Sequence, residues 1–87
     1  MSDPEHDEQR WAEWVETASA ALGVDPSAVD ISAIHHLSKE VARRLERPLV
    51  PVSAFLLGLA VGGAAEGGPL ARGEALRRLR STLPAPE

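Results

Sequence analysis

Trp11, Trp14, Val15, Ala18 and Leu22 recur at steps of three and four, the stripe of an amphipathic helix, and predict a first helix over residues 7–22. Gly23 follows as a C-terminal stop. In the connector "VDPSAVDIS", Asp25 ahead of Pro26 can cap a single helical turn and Asp30 can cap a longer helix. Ile34, Leu37, Val41 and Leu45 then repeat at helical spacing and predict a second helix over 31–45, with Lys39, Glu40, Arg43 and Arg44 off the apolar side. Arg43 and Arg44 lie near its C-terminus, where the helix dipole favours positive charge.

The pattern breaks at "RPLVP", because each proline biases its predecessor towards extended geometry and lacks a backbone donor. Pro51 suits the first turn of a third helix over 51–64, which "EGGP" is expected to end. Pro69 is then expected to open a fourth helix over 69–82, with Leu76, Leu79 and Leu83 as its apolar edge, helped by Leu70 and Ala75. No segment alternates as a strand does, and no repeat is present. The expected fold is all-α, a compact four-helix bundle. Residues 7–83 are expected to form its single domain, between a disordered acidic tail over 1–6 and a disordered tail over 84–87.

"RPLVPVSAFLLGLAVGG", residues 47–63, is the most apolar stretch. The run Leu49 to Ala65 carries no charge and reaches only the short edge of a membrane span. Pro51, Ser53, Gly58, Gly62, Gly63 and several alanines dilute it below what a single span requires. Ala54, Gly58 and Gly62 stand at successive four-residue steps, a stripe of small side chains that lets another backbone approach. The third helix is therefore expected at the buried centre of the bundle, with Pro48, Pro51, Phe55, Gly58 and Gly62 as its structural motif.

Composition narrows the classes of function. A chain of 87 residues has room for one small domain. It has no cysteine, hence no disulfide, thiolate nucleophile or thiolate metal site, and a cytoplasmic location is expected. The net charge of −4 disfavours nucleic-acid and anionic-membrane partners. Acids crowd the first quarter of the chain, whereas Arg72, Arg77, Arg78 and Arg80 make a basic segment near the other end. These two ends either complement one another in the fold, lie solvated, or dock on a partner.

Candidate chemistries are few. His36 and Glu40, at H-x-x-x-E spacing, share a helical face beside His35, but a zinc site needs at least a third protein ligand. No serine sits in a nucleophile elbow, and "GGAAEGGP" lacks the context of a phosphate cradle. No catalytic, cofactor-binding or metal residue is therefore assigned, and no cofactor is expected. The candidate functional corner is Arg47 with Glu40 and His36 beside "RPLVP". Arg47 either serves a ligand there or satisfies carbonyls at the end of the second helix.

Residues 37–62, "LSKEVARRLERPLVPVSAFLLGLAVG", resemble a small actinobacterial helical domain of unknown function. The matching positions are Lys39, Glu40, Val41 and Ala42, then Arg47, Pro48, Pro51, Val52, Ser53, Phe55, Leu56, Gly58, Leu59, Ala60 and Gly62. "WVETASAALGVD", residues 14–25, is similar to that family's opening helix. His35 and His36 depart from the family pattern, where an acidic or aliphatic residue is usual. Members occur alone or fused to the C-terminus of a molybdenum cofactor guanylyltransferase. The resemblance thus implies a non-enzymatic accessory domain that interacts with protein, linked to molybdopterin guanine dinucleotide cofactor biosynthesis. It would act as a monomer or homodimer beside that enzyme, through an apolar strip of the first or fourth helix or through its charged ends. The alternative is a small ligand-binding or catalytic domain using the Arg47, Glu40 and His36 corner.

Overall fold

The computed structural model describes residues 4–85. The chain divides into two compact units, residues 1–30 and 31–87. All regular structure among the described residues is helical.

The first unit consists of helix α1, Pro4–Leu22, and a one-turn 3-10 helix, Pro26–Ala28. α1 begins inside the segment expected to be a disordered tail over 1–6, of which residues 1–3 lie outside the described part. Its C-terminus is a Schellman motif: Gly23 adopts φ +70°, the Val24 amide donates to the Ser19 carbonyl at 2.8 Å, and the Gly23 amide donates to Ala20 at 3.3 Å. Asp25 then caps the 3-10 turn as its position before Pro26 predicts. Its Oδ1 accepts from the Ser27 amide at 2.9 Å and from the Ser27 hydroxyl at 2.8 Å. These bonds, the backbone one foremost, hold the Asp25 carboxyl below its ordinary pKa.

The second unit carries α2 (Ile31–Arg44), a 3-10 turn at Arg47–Leu49, α3 (Val50–Val61) and α4 (Arg72–Arg80). Its core joins Leu37 and Val41 of α2, Leu57 of α3, and Ala75 and Leu76 of α4. Leu37 and Val41 are fully buried, and Ile34, Leu49, Val50, Leu70, Leu79 and Leu83 pack around this cluster. The predicted apolar stripe of the second helix thus faces the core through its middle, while Leu45 at its end stays exposed.

Two helix boundaries differ from the sequence expectation. α3 starts with Pro51 in its first turn but ends at Val61, before residue 64. Gly63, at φ +110°, closes it with a second Schellman motif, in which Ala64 donates to Leu59 at 2.9 Å and Gly63 to Ala60 at 3.4 Å. The "GG" at 62–63 therefore performs the stop expected of "EGGP". α4 opens at Arg72 rather than Pro69, because the Leu70 amide donates to the Ala60 carbonyl at 3.0 Å and keeps this part of the loop tied to the end of α3. The last turn of α4 is sealed by side chains: Ser81 Oγ donates to Arg78 O at 2.6 Å and Thr82 Oγ1 to Leu79 O at 2.7 Å.

The expectation that the third helix is buried on nearly all sides is corrected. Only one face is covered, where Ser53 and Leu57 are buried, while Val52, Phe55, Leu56 and Leu59 are exposed, Phe55 to 69%. A Cβ built on Gly58 would meet nothing within 4 Å, so the small-residue stripe at Ala54, Gly58 and Gly62 does not mark a close backbone approach at its middle position. A twelve-residue helix is also only about 18 Å long, well short of a bilayer core. Among the described residues no helix is long and apolar enough to cross a membrane.

Candidate functional site

The C-terminal half of α2 and the turn that follows it line an open groove of about 500 Å³. Its walls are His36, Lys39, Glu40, Ala42, Arg43, Arg44 and Arg47, so the three residues of the expected corner line one groove. The helical period explains this. His36, Glu40 and Arg43 recur at steps of four and three on one face of α2, and Arg47, another four residues on, begins the 3-10 turn.

Inside the groove Glu40 is already engaged. Its Oε2 accepts from Arg44 Nη1 at 3.2 Å, and its Oε1 lies 2.9 Å from Arg80 Nε in an ion pair that lacks hydrogen-bond alignment. Arg44 is fixed further, because its Nε donates to Pro84 O at 2.9 Å and its Nη2 to Leu83 O at 3.4 Å. This holds part of the segment expected as a disordered tail over 84–87, of which residues 86–87 lie outside the described part. Arg47 makes no side-chain hydrogen bond or ion pair among the described residues, so it does not satisfy the carbonyls at the end of α2, the structural role expected for it.

Sequence reasoning singled out His36, Glu40 and Arg47 and passed over Lys39, Arg43 and Arg44 as members of the same site. The step of four from Lys39 to Arg43 within α2 is a usable signal. Arg80 gave none, because its approach to Glu40 depends on how α4 docks against α2. Among the described residues no group of three or more histidine, aspartate or glutamate side chains is placed to hold a metal ion.

A second surface lies on α3. Val52, Phe55, Leu56 and Leu59 recur at steps of three, one and three, which puts all four on one exposed side of the helix. Leu56 continues this stripe into a furrow of about 270 Å³ between α3 and α4, lined also by Leu57, Ala60, Leu70, Ala75, Leu79 and Arg78. On α4, Glu74 pairs with both Arg77 and Arg78, the latter at 2.9 Å, and these two hydrogen bonds hold its carboxyl below the ordinary value.

A family model described as a domain of unknown function, DUF6457, matches residues 6–86. The chain belongs to the DUF6457 family. The match spans both surfaces of this DUF6457 domain, the α2 groove and the α3 stripe. Comparison with curated proteins and with solved structures gave no match.

Proposed function

We propose that this DUF6457 domain is a non-enzymatic accessory domain that docks on a protein partner through the outer side of α3. The observation that carries this reading is the contiguous exposure of Val52, Phe55, Leu56 and Leu59 on a helix without a single charged residue. Apolar side chains clustered on one face, rather than scattered, mark interaction surfaces, and a large aromatic beside a furrow is the usual anchor of a hot spot. The furrow between α3 and α4 takes an apolar side chain, and Arg78, the one charged residue of its lining, shares the single Glu74 carboxylate with Arg77, so this edge keeps a net positive charge that favours an acidic flank. The matching occupant is an amphipathic, acidic segment of the partner.

The partner we propose is a molybdenum cofactor guanylyltransferase, which would link the domain to molybdopterin guanine dinucleotide cofactor biosynthesis. This rests on the resemblance of residues 37–62 to a domain that occurs alone or fused to that enzyme. The test is co-purification of the two proteins, each shown to be folded, with wild-type chain and with Phe55→Ser. A complex with the wild type that Phe55→Ser abolishes supports the reading. Two folded proteins that do not associate overturn the partner, and a complex indifferent to Phe55→Ser and Leu59→Ser overturns the surface.

A further inference from the structure

We propose that the groove on α2 binds a small anion bearing two linked phosphoryl groups, held by Lys39, Arg43 and Arg47. This site shares no residue with the α3 stripe, and the inference stands apart from the docking proposal.

The charge balance of the groove points to an anion. Of its seven lining residues four are permanent cations and one is a carboxylate, in a chain whose net charge is −4. The carboxylate is answered twice, by Arg44 and by Arg80, and Arg44 is pinned by two carbonyls as well. The Glu40, Arg44 and Arg80 cluster is therefore a structural unit at the floor of α2. Lys39, Arg43 and Arg47 remain, and none of the three has a side-chain hydrogen bond or ion pair among the described residues. Three like charges gathered in one groove repel one another, and a bound anion relieves that repulsion. The nearby C-terminus of α2 opposes an anion with only about half a charge, against three full charges in favour.

The geometry selects the ligand class. Lys39 and Arg43 stand about one turn apart on α2, about 6 Å along its axis, and Arg47 follows beyond the end of the helix, at the start of the 3-10 turn that lines the same groove. A single phosphate engages one adjacent pair of these cations, whereas two linked phosphoryl groups engage Lys39 with Arg43 and Arg43 with Arg47 together. Two of the three are arginines, whose forked donors match phosphoryl oxygens in pairs, and the lysine adds a point charge. No phenylalanine, tyrosine or tryptophan lines the groove, and His36 is its one ring side chain, so recognition rests chiefly on the phosphoryl groups. A volume of about 500 Å³ lies within the range of small-molecule sites.

Titration calorimetry of the whole protein with inorganic pyrophosphate tests this, with inorganic phosphate and a short single-stranded oligonucleotide as comparisons. Saturable binding of pyrophosphate, tighter than that of phosphate, is expected. Arg43→Gln and Arg47→Gln are each expected to weaken it about tenfold, the loss of one charge-assisted hydrogen bond, while Arg77→Gln, outside the groove, leaves it nearly unchanged. Arg47 also begins the turn into α3, so circular dichroism accompanies each variant, and Arg43→Gln, on an exposed helical position, serves if Arg47→Gln unfolds. No saturable heat with pyrophosphate, equal affinity for phosphate, tighter binding of the oligonucleotide, or equal weakening by Arg77→Gln would each overturn the assignment.

Discussion

Arg80 near the end of α4 stands 2.9 Å from Glu40 on α2, and Glu40 in turn accepts from Arg44 at 3.2 Å. One carboxylate therefore joins two helices and pairs with two guanidiniums that are both less than half exposed. Removing its charge leaves those cations facing one another, whereas removing Arg80 leaves the Glu40 and Arg44 pair intact. Glu40→Gln is expected to lower the stability of the fold by about 1–2 kcal/mol, less than a fully buried pair would cost because water reaches all three groups. Arg80→Gln is expected to cost less than Glu40→Gln. Urea denaturation of both variants checks the order, and a reversed order would remove Glu40 from its central position.

The core and the exposed side of α3 should respond oppositely to truncation. Leu37 has no exposed surface, and Leu37→Ala is expected to destabilise by about 2–5 kcal/mol through lost burial and the cavity it leaves. Phe55→Ser removes a larger apolar side chain that is 69% exposed, and is expected to change stability by no more than about 0.5 kcal/mol. Denaturant midpoints of the two variants measure this. A large loss for Phe55→Ser would mean that the stripe is covered in solution.

Glycines on and after α3 make a paired test. Gly58 sits inside the helix with open space around a built Cβ, so Gly58→Ala is expected to stabilise by about 0.5–1 kcal/mol. Gly63 has φ +110°, and a Cβ there would only touch Pro69 Cδ at an ordinary 3.8 Å, so the cost of Gly63→Ala is conformational. It is expected to destabilise by about 1 kcal/mol or more. Thermal melts decide both, and destabilisation by Gly58→Ala would restore the close helix approach that its four-residue spacing suggests.

Glu74 supplies a pH dependence of known sign. Hydrogen bonds from Arg77 and Arg78 lower its pKa in the fold below the ordinary 4.5. Its contribution to stability is complete above that ordinary value and is lost as pH falls through the lowered folded value. A Glu74→Gln variant is therefore expected to be less stable than wild type at neutral pH and to converge with it under acid conditions. Denaturation midpoints followed from neutral pH downward measure the gap, and a gap that is constant or widens in acid would contradict these pairings. Asp25, held down by the Ser27 amide and hydroxyl, follows the same sign in the first unit.

The particular elements explain how much was readable in advance. α2 runs over Ile31–Arg44 against an expected 31–45, because its apolar period and its proline-marked end are local features. Gly23 and Asp25 acted as the residue types predict, since a Schellman glycine and an aspartate before a proline need only their own neighbours. The end of α3 was placed late because two glycine pairs follow one another, and local chemistry does not rank them. Leu70 bonding to Ala60 moved the start of α4, an interaction between a loop and the helix before it that periodicity does not register.

The same division holds for the candidate site. His36 and Glu40 share a face of α2 by helical spacing, which the chain alone makes legible, whereas the turn after α2 is what brings Arg47 to the same groove. That Glu40 is spent on Arg44 and Arg80, leaving Lys39, Arg43 and Arg47 as the site's available cations, depends on the docking of α4 against α2. Helix positions, caps and the clustering of charge on one face of α2 were thus determined by sequence, because each is set by residues within one or two turns. Which side of α3 is covered, and which charges are answered, only the tertiary structure decided: α3 is apolar nearly all round, so its own pattern names no buried face until α2 and α4 pack against it.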